Sequence, residues 1–228
     1  MPTETLTEEF DPRDRRKYYF HEPLFRRVAT PLARALFQLV ATLHVSGVEN
    51  LPDEGAVVLA ANHMTNFDVF PMQFALPRPI FFMAKAELHR NPGLDVILRQ
   101  LGSFPVERGA RDEWALRQAQ KVLEHGQVLG IFPEGKRNKG LGLHPAKTGA
   151  ARLALTVACP ILPLAVDGTQ RLFRRFPRRT RVRITVGSPL HALPGETALA
   201  LTDRLMFALA EMLPPRQRGV YARRPDGF

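Results

Sequence analysis

Residues 56–68 read Ala56-Val57-Val58-Leu59-Ala60-Ala61-Asn62-His63-Met64-Thr65-Asn66-Phe67-Asp68. The first six are apolar and partly β-branched. They follow Gly55 and give way to polar residues, which predicts a short buried strand. His63 and Asp68 stand five positions apart, ~140° apart around a continuous helix, so they cannot face each other on one. For the two to touch, the chain must bend, with His63 on the turn after the strand and Asp68 in the first turn of a helix. Thr65 or Asn66 is a suitable cap for that helix, and Pro71 is tolerated early in it. A carboxylate bonded to one imidazole nitrogen sets the tautomer and leaves the other nitrogen available as a base. Such a pair is the orienting part of a catalytic triad without its nucleophile, a role then open to a substrate hydroxyl. Taken alone, the same loop also describes a capping Asp beside a half-buried His.

Strand-like runs recur on both sides of this stretch, at 79–84, 103–107, 128–132, 161–166 and 181–186, with Val45-Ser46-Gly47-Val48 opening the series. Helical patterns lie between several of them, at about 68–76, 93–101, 111–125 and 146–158, and a last helix covers about 196–213. This alternation predicts an α/β fold with a mostly parallel central sheet flanked by helices. Residues 44–214 form that domain. Residues 1–12 are expected to be disordered, and the basic tail 215–228 to be loose.

In front of the domain, residues 13–43 combine Arg13, Arg15, Arg16 and Lys17 with Tyr18-Tyr19-Phe20. Apolar residues then follow at helical spacing from Phe25 to Leu43. Thr30-Pro31 resembles a cap and a first helical residue, so two short amphipathic helices are expected. They suit a membrane interface, or equally the outside of a domain core. No apolar run reaches the ~18 residues of a spanning helix. The acidic start, Met1 to Glu9, lacks the apolar centre of a secretory signal. One cysteine, Cys159, excludes an internal disulfide and reads as a small buried hydrophobe. The net charge of +10 calls for an anionic partner.

Three further segments carry chemistry. Gly102-Ser103-Phe104-Pro105-Val106-Glu107-Arg108 is a short strand ending on an arginine, the preferred fork for phosphate oxygens. Phe132-Pro133-Glu134-Gly135-Lys136-Arg137-Asn138 ends another strand. There Arg137 can grip an anion, Gly135 permits a turn, and Glu134 can bond a substrate hydroxyl or lock a neighbouring cation. Loops at the carboxyl ends of parallel strands are where such folds place ligands. In Cys159-Pro160-Ile161-Leu162-Pro163-Leu164, Pro163 has no donor, which predicts a bent or edge strand.

Together these blocks, NHMTNFD, GSFPVER, FPEGKRN and PILPL, resemble the glycerolipid acyltransferase family of the lysophosphatidic acid acyltransferase type. They span residues 62–164 in order, and by resemblance the core domain covers roughly 45–190. Family members usually carry Thr and Ser at the places of Lys136 and Asn138. The resemblance implies His63 as general base and Asp68 as its orienter. It also implies Lys85, Arg108 and Arg137 around the acceptor phosphate, Glu134 and Gly135 shaping the acceptor site, and Pro160 and Pro163 near the acyl donor. The donor would be acyl-CoA or acyl-carrier protein, the acceptor a lysophospholipid, and the product phosphatidic acid for phospholipid biosynthesis. No metal or cofactor is implied, and the place of work would be the cytoplasmic membrane face, held peripherally. Glycerol 3-phosphate or another lysolipid is the alternative acceptor. A different class, a basic nucleic-acid binder, is suggested only by the arginines between Arg171 and Arg183, which interleave with Phe173 and Phe176 and suit lipid headgroups or an acidic carrier protein as well.

Overall fold

The computed structural model describes residues 11–107, 112–174 and 176–224. Seven strands form one sheet: β1 Ala41–Ser46, β2 Val57–Ala61, β3 Ile80–Lys85, β4 Ser103–Val106, β5 Val128–Ile131, β6 Ile161–Asp167 and β7 Thr180–Val186. Their order is β1-β7-β6-β2-β5-β3-β4. All neighbours are parallel except β6 and β7, which are antiparallel. The helices are α1 Leu24–Val40, α2 Val69–Ala75, α3 Pro92–Gln100, α4 Glu113–Glu124, α5 Gly149–Val157 and α6 Ala198–Met212. The mostly parallel sheet with flanking helices is the fold the alternating pattern predicts. Side chains capping α3, α4 and α6 come from Asn91, Asp112 and Thr197, each accepting a backbone N–H of the first turn.

Strand alternation sends Val58 and Ala60 of β2 towards α4, α5 and α6, where Trp114, Ala119, Ala151 and Leu205 are buried. Val57, Leu59 and Ala61 point the other way, against Met72 and Leu76 around α2. Both faces are covered, which is why β2 reads as a continuous apolar run. α6 lies over β6, where Ala165 packs with Met206, Leu209 and Ala210. The alternate residues of β7 beyond it, Arg181 and Arg183, stay exposed.

Three expectations change. α1 is a single helix that continues through Pro31 and ends at Val40, and residues 41–43 belong to β1. Tertiary contacts on both sides of the proline hold it together. Arg26 is buried and donates to Leu101 O, Ile80 O and Gln73 Oε1, while Phe37 packs on Phe74 with ring centres 5.5 Å apart. Pro163 is not at an edge, since β6 runs between β2 and β7. Between the Ile161–Leu190 bridge and the Leu164–Val186 pair, Leu162 and Pro163 face three residues, Gly187, Ser188 and Pro189. The missing donor falls in that bulge, outside the regular ladder. The tail is held as far as residue 224: Gln217 donates to Asp167 at 2.7 Å, and Tyr221 accepts from Ala146 N at 3.1 Å.

The basic segment before α1 is also tied down. Arg13 bonds Asp112 at 2.6 Å and covers Trp114, and Arg16 pairs with Asp95. Of the stretch 1–12, residues 1–10 lie outside the described residues, and Asp11 accepts from Arg13. In consequence α1 turns its apolar stripe outward: Leu24, Val28, Leu32, Leu36 and Leu39 are all exposed, Leu24 by 75% and Leu32 by 62%.

Candidate active site

The register of the central strands brings the motif residues to one edge. Ala60 pairs with Ile131, Ala61 with Leu164 and Phe82 with Gly130. His63, Glu134 and Lys85 therefore leave the carboxyl ends of β2, β5 and β3 side by side. Asn62 extends the β2–β6 ladder by one step with its side chain: Nδ2 donates to Val166 O at 2.9 Å, and Oδ1 accepts from Val166 N at 2.8 Å. That anchor sets where the turn starts, and His63 is the first residue beyond it.

The turn then bends as the spacing requires. Asp68 stands at the N-cap of α2 with its carboxylate directed back along the chain. His63 Nδ1 donates to Asp68 Oδ2 at 2.9 Å. A carboxylate only accepts, so the proton of the neutral ring sits on Nδ1. Oδ2 also accepts from Met64 N at 2.6 Å and Thr65 N at 2.8 Å. Oδ1 accepts from the hydroxyls of Thr65 at 3.1 Å and Thr169 at 2.5 Å. Five donors on a fully buried carboxylate fix its position. The His63 ring lies flat against Phe132, with ring centres 4.0 Å apart. Its Nε2 has no protein partner among the described residues.

Glu134 faces inward. Oε1 accepts from His63 N at 2.9 Å, Oε2 from His144 N at 2.9 Å, and Asn138 Nδ2 reaches both oxygens at 2.9 and 3.0 Å. Asn138 N donates to His63 O at 2.7 Å. In this state Glu134 clasps the β5 loop to the β2 loop; its oxygens do not point towards a hydroxyl from outside. Gly135 takes a left-handed φ of +66°, and the Lys147 side chain lies over it. Arg137 and Lys136 are exposed with no protein partner among the described residues. Lys85 pairs with Glu87 at 2.9 Å and stands level with Val106 of β4. Arg108 lies outside the described residues, two positions past that strand end. Pro160 immediately precedes β6 and Pro163 lies in its amino half, where it packs towards Gly187 and Met212 of α6. The fold thus gathers His63, Asp68, Lys85, Glu134, Gly135 and Arg137 at one edge and leaves the two prolines away from it.

Four contributors escape the sequence reading: Asn62, Thr169, His144 and Lys147. Thr169 follows Gly168, whose φ is +108° and where a Cβ would lie 2.2 Å from Arg181 O. Only a glycine lets the chain pass so close to β7 and return a hydroxyl to Asp68. That glycine after an apolar strand is the one local signal available. Burial pushes the Cys159 thiol up to about 11, which suits an inert side chain. Among the described residues no group of three or more His, Cys, Asp or Glu is placed to hold a metal ion.

A second His–Asp pair shows what distinguishes the first. His89 Nδ1 bonds Asp95 at 2.8 Å, and its Nε2 lies 3.3 Å from Ser103 Oγ. The His89 side chain is only 2% exposed, against 11% for His63. Asp95 is shared with Arg16 and Arg99. This pair cross-links α3, β4 and the segment before α1, and both ring nitrogens are occupied.

Comparison with known proteins places these features in context. A model of the acyltransferase family matches residues 42–167. The chain is 30% identical over 186 residues to the 1-acyl-sn-glycerol-3-phosphate acyltransferase of Bacillus subtilis, covering 78% of this chain and 92% of that protein. It is 26% identical over 198 residues to the human 1-acyl-sn-glycerol-3-phosphate acyltransferase alpha, covering 81% and 70%. Among solved structures, the 1-acyl-sn-glycerophosphate (LPA) acyltransferase PlsC of Thermotoga maritima matches with a TM-score of 0.65 at 25% identity, over 82% of this chain and 78% of that one.

Proposed function

This chain belongs to the acyltransferase family, and we infer that it moves a fatty acyl group from an acyl thioester to the 2-hydroxyl of 1-acyl-glycerol 3-phosphate, yielding phosphatidic acid. The observation that carries this reading is the His63–Asp68 pair, whose Nδ1 is committed to a donor-saturated carboxylate and whose Nε2 is free at the sheet edge. A glycerol hydroxyl is too weakly acidic to attack a thioester unaided, so a base must take its proton as the C–O bond forms. His63 Nε2 accepts that proton. The imidazolium is stabilised by Asp68. Collapse of the tetrahedral intermediate breaks the C–S bond, and His63 returns the proton to the departing thiol. The cations at Lys85 and Arg137, with Arg108, would bind the acceptor phosphate. The outward apolar stripe of α1, flanked by exposed Arg27 and Arg34, would rest on an anionic membrane surface from which the lysolipid is drawn. No helix among the described residues is long and apolar enough to cross a membrane.

Purified protein given lysophosphatidate and acyl thioesters, with products resolved by lipid mass spectrometry, tests the reaction. Phosphatidate should form with wild-type protein. His63→Ala should lower turnover ~10²–10⁴-fold while the thermal unfolding curve stays in place. Turnover near wild type in that variant would remove His63 from the chemistry. Acylation of glycerol 3-phosphate or another lysolipid, but not of lysophosphatidate, would replace the acceptor assignment.

A further inference from the structure

Along the sheet edge, His63 of the central strand has cations on both sides. On the β5–β3–β4 side stand Arg137 and Lys85, assigned above to the acceptor. On the β6–β7 side lies an arginine-lined hollow, apart from those two cations. One part, about 520 Å³, is lined by Arg171, Arg174, Arg179, Thr180 and Arg181. An adjoining part, about 250 Å³, adds His44, Asp167 and Arg183.

Arg174, Arg179, Arg181 and Arg183 have no protein partner among the described residues. The one carboxylate, Asp167, is already engaged by Gln217 at 2.7 Å, Gln170 at 3.1 Å and Arg171 at 3.3 Å. Burial pushes its carboxyl up, but those contacts together outweigh burial and hold it below the usual carboxylate range. The hollow is therefore strongly cationic, and unpaired arginines grouped in a concavity match the multiple phosphates of a small anion.

Its position identifies which anion. Arg171 is two residues past Thr169, the residue that touches Asp68, and Phe173 leans on Phe67 beside Asp68 with ring centres 5.7 Å apart. The hollow is thus built onto the catalytic turn. Arg181 and Arg183 project from the sheet face that carries α6, whereas α1 and its apolar stripe lie on the opposite face with Val182. A molecule entering the hollow comes from the water side, away from the face assigned to the lipid.

We propose that this hollow binds the phosphates of coenzyme A, so that an acyl-CoA donor lies across β6 with its thioester at His63. This rests on the acyl-transfer reading above and adds the donor's identity and seat. The alternatives, the acidic surface of an acyl carrier protein and anionic lipid headgroups, are outcomes of the test.

Coenzyme A itself is titrated calorimetrically into the full-length protein, a measurement that needs no turnover. Wild type should bind it in a salt-sensitive way. Arg174→Gln and Arg181→Gln, both exposed positions, should each weaken binding roughly tenfold or more. In assays the same variants should raise the KM for palmitoyl-CoA and leave the KM for lysophosphatidate unchanged. With the palmitoyl thioester of N-acetylcysteamine, which carries no phosphate, they should match wild type. Unchanged coenzyme A affinity in the double variant overturns the proposal. So does wild type that ignores coenzyme A but uses acyl-carrier protein, or variants that lose only their sedimentation with anionic vesicles. Wild type that binds coenzyme A through these arginines yet transfers no acyl group would keep the site and remove the reaction.

Discussion

At the scale of single residues, Thr169 and His89 carry consequences that their positions in the chain do not announce. Thr169 gives Asp68 one of its two hydroxyl donors from a strand end about a hundred residues away. Thr169→Val leaves Oδ1 with only the longer bond from Thr65. A hydrogen bond to a charged group contributes ~1.5–3 kcal/mol. We expect kcat to fall roughly 10–100-fold with KM for both substrates little changed, and Thr169→Ser to restore most of it. A fall in the serine variant as deep as in the valine one would show that shape, not the hydroxyl, matters. His89 acts on stability. Burial holds its imidazole below the ordinary value, outweighing the pull of Asp95. The folded state thus binds that proton less readily than the unfolded chain. Stability from this site is complete above the unfolded imidazole pKa of about 6.5 and declines as pH falls below it. Urea unfolding between pH 7.5 and 5 should show the decline, and His89→Asn should flatten it even if its overall stability is lower.

At the scale of elements, the loop after β5 and the turn after β2 form one unit. Glu134 joins them through the amides of His63 and His144 and the side chain of Asn138, all in a buried place. Glu134→Gln turns one acceptor into a donor that faces donors. Leaving a buried group unsatisfied costs ~1–3 kcal/mol. The variant should unfold at lower urea and lose turnover, since the backbone carrying His63 is no longer held. An unchanged unfolding midpoint would mean that the clasp contributes little. Asn138 belongs to this unit too. Its Nδ2 reaches both Glu134 oxygens, a span that the shorter side chain of a serine could not make from the same backbone.

For the molecule as a whole, the sheet separates two kinds of surface. α1 is docked by Arg26, whose guanidinium is pushed down to about 10 by burial, and by Phe37. That docking obliges Leu24, Val28, Leu32, Leu36 and Leu39 to face outward. A monomer in water gains nothing from such a stripe, and the bilayer contact proposed above would cover it. Leu32→Glu with Leu36→Glu should abolish sedimentation with anionic liposomes and leave thermal stability and activity on a short-chain soluble acceptor intact. Retained sedimentation would move the membrane contact elsewhere. Deleting residues 1–43 is a poorer test, because it removes Arg26 and half of β1, both parts of the folded domain.

The sequence by itself determined the kind and order of the elements, since apolar periodicity and capping residues act over a few positions. It also determined that the chain must bend between His63 and Asp68 if the two are to touch, because a five-residue spacing sets them apart on a continuous helix. Tertiary structure alone decided what lies between distant segments. That Pro163 sits inside the sheet depends on a bulge contributed by residues 187–189. That α1 runs on through Pro31 depends on contacts with α2 and with Leu101 and Ile80. Glu134 turns inward because the His63 amide from the β2 turn joins Asn138 and His144 of its own loop in donating to it, and Thr169 reaches Asp68 because β6 lies next to β2. Pairing across the sheet brings together residues that no local pattern relates, and the strand order then sets His63 between its two groups of cations.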